Sequence, residues 1–285
     1  MKVIGLLVNH TKPMAKDVAR RLIGIIEKNG AIARVDETTA AVIGRIDLLL
    51  PQADFADQVD LLFVLGGDGT ILGFARKFAK TGLPLLGINI GHLGFLSEAE
   101  PQDLEESVKR VLEGNYCLEN RLMLEAQVER DGQVIYEDLI ALNEIGISKD
   151  RFGTMVTCRL FVDDMYVDQY TGDGLLISTP TGSTAYSLSC GGPIVSPHID
   201  VMLITPICPH TLHSRPLVIA ADQEVRVEVS GTHEEMVLLV DGQDFRTLEN
   251  HDIIRVRQAP YKTKLIKWRD REFFDVLRRK LHCAP

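Results

Sequence analysis

Nowhere does the 285-residue chain approach the ~18 uncharged apolar residues that a membrane-spanning helix needs, so no membrane span is expected. The first apolar run, residues 3–8, is too short for a secretory signal. Paired cysteines are missing as well. Cys117, Cys158, Cys190, Cys208 and Cys283 contain no CxxC, and their odd number argues against a disulfide framework or a zinc knuckle. Free thiols fit a reducing compartment, and a cytoplasmic protein is expected. A basic excess is absent too: the net charge is −9, which speaks against bulk nucleic-acid binding. A small anionic ligand stays open, because a local cluster of amides can hold a phosphate inside an acidic protein.

Several motifs are also lacking. There is no G-x-x-x-x-G-K-[ST] phosphate loop, no G-x-S-x-G nucleophile elbow and no HExxH metal site. Gly67, Gly69 and Gly73 form a loose glycine pattern, but no carboxylate follows near the twentieth position, as a dinucleotide-binding fingerprint would need. Cys190 with His198 or His210 could suggest a thiol nucleophile, yet an inert buried thiol is the better reading.

What is present is an ordinary globular composition, 45% hydrophobic and 25% charged, with ample material for a core. The length favours two domains. In the first hundred residues, strand and helix signals alternate. Residues 3–8, 32–35, 61–65 and 85–90 read as strands. Val18, Leu22, Ile25 and Ile26 share a helical face that Gly30 stops, and residues 70–80 read as a second helix. Such alternation predicts a mostly parallel sheet covered by helices. Residues 101–114 read as one more helix. Beyond it, short strands dominate. Asp131-Gly132 and Asp163-Asp164 mark two hairpins, and Val225, Val227 and Val229 alternate cleanly. The expected division is an α/β domain over 1–100, a β-rich domain over 101–260, and an amphipathic tail helix that packs back on a domain.

Three segments carry candidate chemistry. Residues 61–65 form a strand that runs through Gly66-Gly67-Asp68-Gly69-Thr70 into a helix. A glycine turn at a helix N-terminus suits phosphate. Asp68 would repel a phosphate there unless it takes a proton or meets a metal; otherwise it caps the helix. The second segment runs from Asp173 to Pro193, where a strand ends in hydroxyls and glycines with one aromatic face at Tyr186. It offers many hydrogen bonds to a polar ligand, or is a long Ser/Thr-rich turn. The third is Asn143-Glu144, at the end of a predicted strand, which could grip a ribose diol or simply enter a loop.

Together these segments resemble the NAD kinase family in its short bacterial form. Gly66-Gly67-Asp68-Gly69-Thr70 looks like the family's GGDGT motif. Asn89-Ile90-Gly91-His92-Leu93-Gly94-Phe95-Leu96 is similar to its N-x-G-x-L-G-F-L stretch, and Asn143-Glu144 to its N-E dyad. Asp173-Gly174 through Gly192-Pro193 resembles its long hydroxyl-rich signature. Pro209-His210-Thr211-Leu212 and Arg215-Pro216-Leu217-Val218 also match, so the resemblance covers nearly the whole chain.

The resemblance implies a kinase that phosphorylates the 2′-hydroxyl of the adenosine ribose of NAD, with ATP or polyphosphate as donor and Mg²⁺ riding on phosphates rather than in a protein cage. It implies a Rossmann-like N-terminal α/β domain, a β-rich C-terminal domain and a tail helix returning to the first. Asp68 would be the general base. Gly66, Gly67, Gly69 and Thr70 would form the phosphate loop. The NAD site would draw on Asp68, Gly69, Asn143, Glu144, Thr154, Thr171, Asp173, Thr184, Ala185, Tyr186, Ser187, Leu188, Ser189 and Gln243, with no metal ligand among the side chains. A homo-oligomer, tetramer or dimer, is expected by analogy, with neither nucleic acid nor membrane as partner. Two competing readings remain: a lipid or small-alcohol kinase sharing GGDGT, and a non-catalytic dinucleotide-binding module.

Overall fold

The computed structural model describes residues 1–91, 94–149, 155–211, 213–231 and 236–282. They fall into two compact units: Met1–Asn120 together with Thr263–Pro285, and Arg121–Lys262.

The first unit is built on a six-stranded sheet in the order Ile32–Val35, Val3–Val8, Leu61–Gly66, Pro84–Asn89, Thr263–Lys267, Cys117–Arg121. The first five strands run parallel. Leu61–Gly66 is buried along its whole length, as expected of a central parallel strand covered on both faces. The helix Ala15–Lys28 lays Val18, Leu22, Ile25 and Ile26 against this sheet. Residues 36–58, whose pattern reads as neither state, fold into the helix Glu37–Ile43 and short turns. Asp36 caps that helix by accepting from the Thr39 amide at 2.8 Å.

The helix Leu104–Glu113 belongs with this unit. Leu104, Val108 and Val111 enter the same core as the sheet, so the division falls after residue 120 instead of at 101. The returning tail supplies the strand Thr263–Lys267 and the helix Phe273–His282. A fully buried carboxylate fastens it. Glu98 pairs with Lys267 at 2.9 Å, accepts from the Trp268 amide at 3.2 Å, and offers its carbonyl to the Trp268 indole and to Arg271.

The second unit consists of two six-stranded antiparallel sheets. One has the order Met165–Gly172, Val156–Val162, Val225–Gly231, Ile253–Gln258, Leu124–Arg130, Gln133–Ala141. The other has the order Leu217–Ala220, Val201–Ile207, Gly174–Ser178, Glu144–Lys149, Met236–Val240, Asp244–Leu248. Their inner faces share one core that includes Val128, Ile145, Leu160, Ile177, Val227 and Leu238. Both predicted hairpins are present. Asp131 and Gly132 have φ of 50° and 76°, and Asp163 and Asp164 have 48° and 63°, so each pair occupies the left-handed region that a two-residue hairpin turn requires.

Candidate active site

In the first unit, the parallel strand Leu61–Gly66 delivers the chain into the helix Asp68–Phe78. Gly67 is the N-cap, with extended backbone and open space where a Cβ would stand. The Asp68 side chain does not cap its own helix, which removes that reading. It reaches instead to the loop after the strand Pro84–Asn89. Its Oδ2 accepts from the Phe95 amide at 2.7 Å and its Oδ1 from the Leu96 amide at 3.3 Å. A half-buried carboxylate is thereby aimed by backbone groups at both oxygens, with lone pairs to spare on each. Gly94 permits this: a Cβ there would lie 1.7 Å from Asp68 Oδ1. Thr70 turns its hydroxyl to Asn9, whose amide donates at 2.9 Å, so Thr70 ties the turn to the first strand. The sequence reading missed Asn9; its position at the C-terminal end of a parallel strand was the available signal.

In the second unit, the chain crosses from one sheet to the other at Leu142-Asn143, between the strands Gln133–Ala141 and Glu144–Lys149. Glu144 therefore opens a new strand; it does not trail off the end of the previous one, as the pattern suggested. Asp241 holds this corner. Its carboxylate accepts from the amides of Leu142 at 3.0 Å, Asn143 at 2.7 Å and Glu144 at 3.0 Å, while its own amide donates to the Glu144 carbonyl at 2.9 Å. Asn143 is half-buried and its carbonyl accepts from the Thr179 amide. Glu144 is buried, and its Oε2 has no hydrogen-bond partner among the described residues. Burial, reinforced by the neighbouring Asp241 charge, pushes its carboxyl up to about 8.

That shift has a stability consequence. A carboxyl whose folded value lies above its ordinary 4.5 contributes stability that is fully present below that value and is lost as pH rises through about 8. Native stability should decline across this window. Glu144→Gln should flatten the decline and leave the variant more stable at high pH, by on the order of a few kcal/mol. Denaturation midpoints measured across the range check this; parallel curves for the two proteins would refute it.

The hydroxyl-rich segment divides into scaffold and surface. Thr179 Oγ1 donates to the Leu142 carbonyl at 2.5 Å and accepts from the Gly182 amide. Ser183 bonds Pro180 and Val195, and the buried Ser187 pairs with Thr205 at 2.9 Å. Ser187 thus has its hydroxyl engaged inside the fold. Gly182 lies so close to Asn143 that a Cβ would stand 2.2 Å from its carbonyl oxygen. Thr184, Ala185 and Leu188 are half-buried, Ser189 is exposed, and the Tyr186 ring is 44% exposed, free to take a flat ligand against its face.

Asp173 pairs with Lys149 at 2.5 Å. Thr171 hydrogen-bonds Thr157 across the strand pair, and Gln243 is exposed in the turn that follows Asp241. Thr154 lies outside the described residues. Cys190 is half-buried, less than expected, and burial together with neighbouring Cys208 raises its thiol, which disfavours the thiolate a nucleophile needs. Among the described residues, no three His, Cys, Asp or Glu side chains gather into a metal cage.

Known proteins resemble this chain in sequence and in fold. A family model described as the ATP-NAD kinase N-terminal domain matches residues 4–116, and one described as the ATP-NAD kinase C-terminal domain matches residues 142–268. A protein of Symbiobacterium thermophilum named NAD kinase is 43% identical over 281 residues, 99% of each chain. The crystal structure of yeast NADH kinase complexed with NADH has a TM-score of 0.90 at 24% identity, covering 100% of this chain and 88% of that one. An NAD kinase from Archaeoglobus fulgidus in complex with ATP has a TM-score of 0.79 at 23% identity, with both chains covered in full. The two structural likenesses establish a common fold.

Proposed function

The chain belongs to the NAD kinase family, and from that premise we propose that it moves the γ-phosphoryl group of ATP onto the 2′-hydroxyl of the adenosine ribose of NAD, with Asp68 as general base. The observation that carries the role of Asp68 is its grip by the Phe95 and Leu96 amides, which fixes the carboxylate without consuming it. In the reaction, Asp68 takes the proton of the 2′-hydroxyl, the freed oxygen bonds to the γ-phosphorus, and the bond to the bridging oxygen breaks to release ADP. Phosphoryl transfer asks little covalent chemistry of a protein. Alignment and charge neutralisation supply most of the acceleration.

The open backbone at Gly67, beside Gly66, Gly69 and Thr70, suits it to donor phosphates. Mg²⁺ entering as part of the donor substrate would neutralise phosphate charge at this turn, with no cage of protein side chains required. Asn143 and Glu144 hold ribose hydroxyls, and Tyr186 stacks on a base. Thr171, Asp173, Thr184, Ala185, Leu188, Ser189, Gln243 and, by its place in the sequence, Thr154 line the dinucleotide, while Ser187 supports the segment from within.

The chain assembles as a homo-oligomer, dimer or tetramer. Large apolar side chains exposed on edge strands support this: Met165, Tyr166, Val218 and Phe245. No described helix is long and apolar enough to cross a membrane. The free thiols fit a reducing cytoplasm.

An acceptor and donor panel tests this function. NAD, NADH and diacylglycerol are offered with ATP or polyphosphate, each with Mg²⁺ or with EDTA. NADP should form from NAD and ATP, stop with EDTA and return with excess Mg²⁺. Turnover of diacylglycerol, or NAD binding with no NADP, would contradict it. Activity with polyphosphate would extend the donor range without altering the role of Asp68.

A further inference from the structure

We propose that Asp241 is a positioning residue for NAD binding: its carboxylate, held by three consecutive backbone amides, sets the Asn143-Glu144 corner and the placement of the Glu144 side chain. The proposal rests on the reading that Asn143 and Glu144 hold ribose hydroxyls.

The corner needs such a device. The chain leaves one sheet at Ala141 and enters the other at Glu144, so the intervening amides have no ladder partner. Buried amides left unpaired are costly. One carboxylate satisfies both of them and the Glu144 amide as well, at 3.0, 2.7 and 3.0 Å. The reciprocal bond from the Asp241 amide to the Glu144 carbonyl closes a ring between the two residues. Asp241 reaches this position with φ of 52°, a left-handed conformation that Asp tolerates better than most side chains. Three amide donors also settle which carboxyl carries the charge. Asp241 has them, whereas Glu144 Oε2 has no partner among the described residues. A second buried negative charge beside the first, with no donor of its own, is unfavourable, so the proton stays on Glu144.

Among the described residues, two titratable groups interact with Glu144. Asp241 comes from the turn after the strand Met236–Val240, and Cys190 from the end of the short helix Tyr186–Ser189. Ser178, its register partner in the strand Gly174–Ser178, also has a buried Oγ without a partner. Cross-strand partners share a face of the sheet, so two unpaired polar atoms lie on the same face at neighbouring positions. A neutral carboxyl there can give a hydrogen bond to a ribose oxygen without adding charge next to a pyrophosphate.

Four proteins test this: the native chain, Asp241→Asn, Glu144→Gln and Asn143→Ala. Steady-state constants for NAD and ATP are measured from about pH 6 to about pH 9, with thermal midpoints alongside. Asn at 241 keeps one carbonyl oxygen, but turns an NH₂ toward an amide and removes the charge. It should raise KM for NAD roughly 10-fold to 100-fold, as expected for a displaced binding group, and leave KM for ATP and kcat within about threefold. Native affinity for NAD should fall as pH rises through about 8. The midpoint of that fall should move to lower pH in Asp241→Asn and disappear in Glu144→Gln.

An unchanged KM for NAD or an unmoved midpoint in Asp241→Asn would overturn the proposal. If that variant does not fold, Glu144→Gln decides, since persistence of the pH dependence overturns the proposal and its loss supports it. A failure of the ribose reading looks different: Asn143→Ala would then leave KM for NAD unchanged.

Discussion

Asp68→Asn is expected to lower kcat by roughly 10²–10⁴-fold, the usual consequence of losing a general base, with KM for NAD within about threefold. The substitution is nearly isosteric. The Asn carbonyl oxygen can still accept from the Phe95 amide, and the remaining position turns an NH₂ toward the Leu96 amide, where the existing bond is already long at 3.3 Å. The structural penalty is therefore on the order of one hydrogen bond, about 1 kcal/mol. The catalytic loss corresponds to about 3–5 kcal/mol in the barrier, so it dominates. Steady-state kinetics with a thermal midpoint separate the two. A variant that keeps its turnover would remove Asp68 from the proton transfer and leave it as a loop anchor.

Gly94→Ala is expected to lower kcat by about 10²-fold or more, although residue 94 touches no substrate in this account. Its Cβ would stand 1.7 Å from Asp68 Oδ1 and 2.1 Å from its Cγ, which no side-chain adjustment short of swinging the carboxylate away can relieve. The alternative is a shift of the loop, which also breaks the Phe95 and Leu96 bonds. Displacing a catalytic group by about 1 Å typically costs around 10²-fold, and overpacking adds about 1–3 kcal/mol of lost stability. Gly24→Ala is the matching control. Its position is exposed within the helix Ala15–Lys28 and has open space for a Cβ, so it should stabilise by about 1 kcal/mol and leave turnover alone. Equal kinetics for the two variants would show that the Asp68 geometry does not limit the reaction.

Much of this site is readable in the sequence because its local parts obey local rules. A buried strand, a glycine turn and an amphipathic helix announce the Asp68 turn. Asp131-Gly132 and Asp163-Asp164 announce hairpins by their tolerance of positive φ. The strands that escape notice are Cys117–Arg121, Glu144–Lys149, Leu217–Ala220, Asp244–Leu248 and Thr263–Lys267. Three of these lie at sheet edges, where half-exposure blurs the alternation. Glu144–Lys149 is buried, but it follows the previous strand across a two-residue corner with no Gly or Pro to mark it.

What the sequence cannot display is long-range pairing. Asp68 meets the Phe95 and Leu96 amides across 27 and 28 residues, and Asp241 meets Leu142 across 99. Nothing in Asp241-Gly242-Gln243 alone says that the aspartate serves a corner about a hundred residues earlier. The hydroxyl-rich run hides a division of labour instead. Composition alone does not separate the hydroxyls of Thr179, Ser183 and Ser187, which hold the segment together, from those that stay at its surface.

The most direct test of the account is a single-turnover rapid-quench measurement of NADP formed by the native chain and by Asp68→Asn, with NAD occupancy matched by equilibrium dialysis and Mg-ATP in excess. Equal occupancy with first-turnover rates separated by roughly 10²–10⁴-fold is the predicted outcome. Equal rates at equal occupancy would contradict it, because the carboxylate that Phe95 and Leu96 hold in place would then play no part in moving the proton.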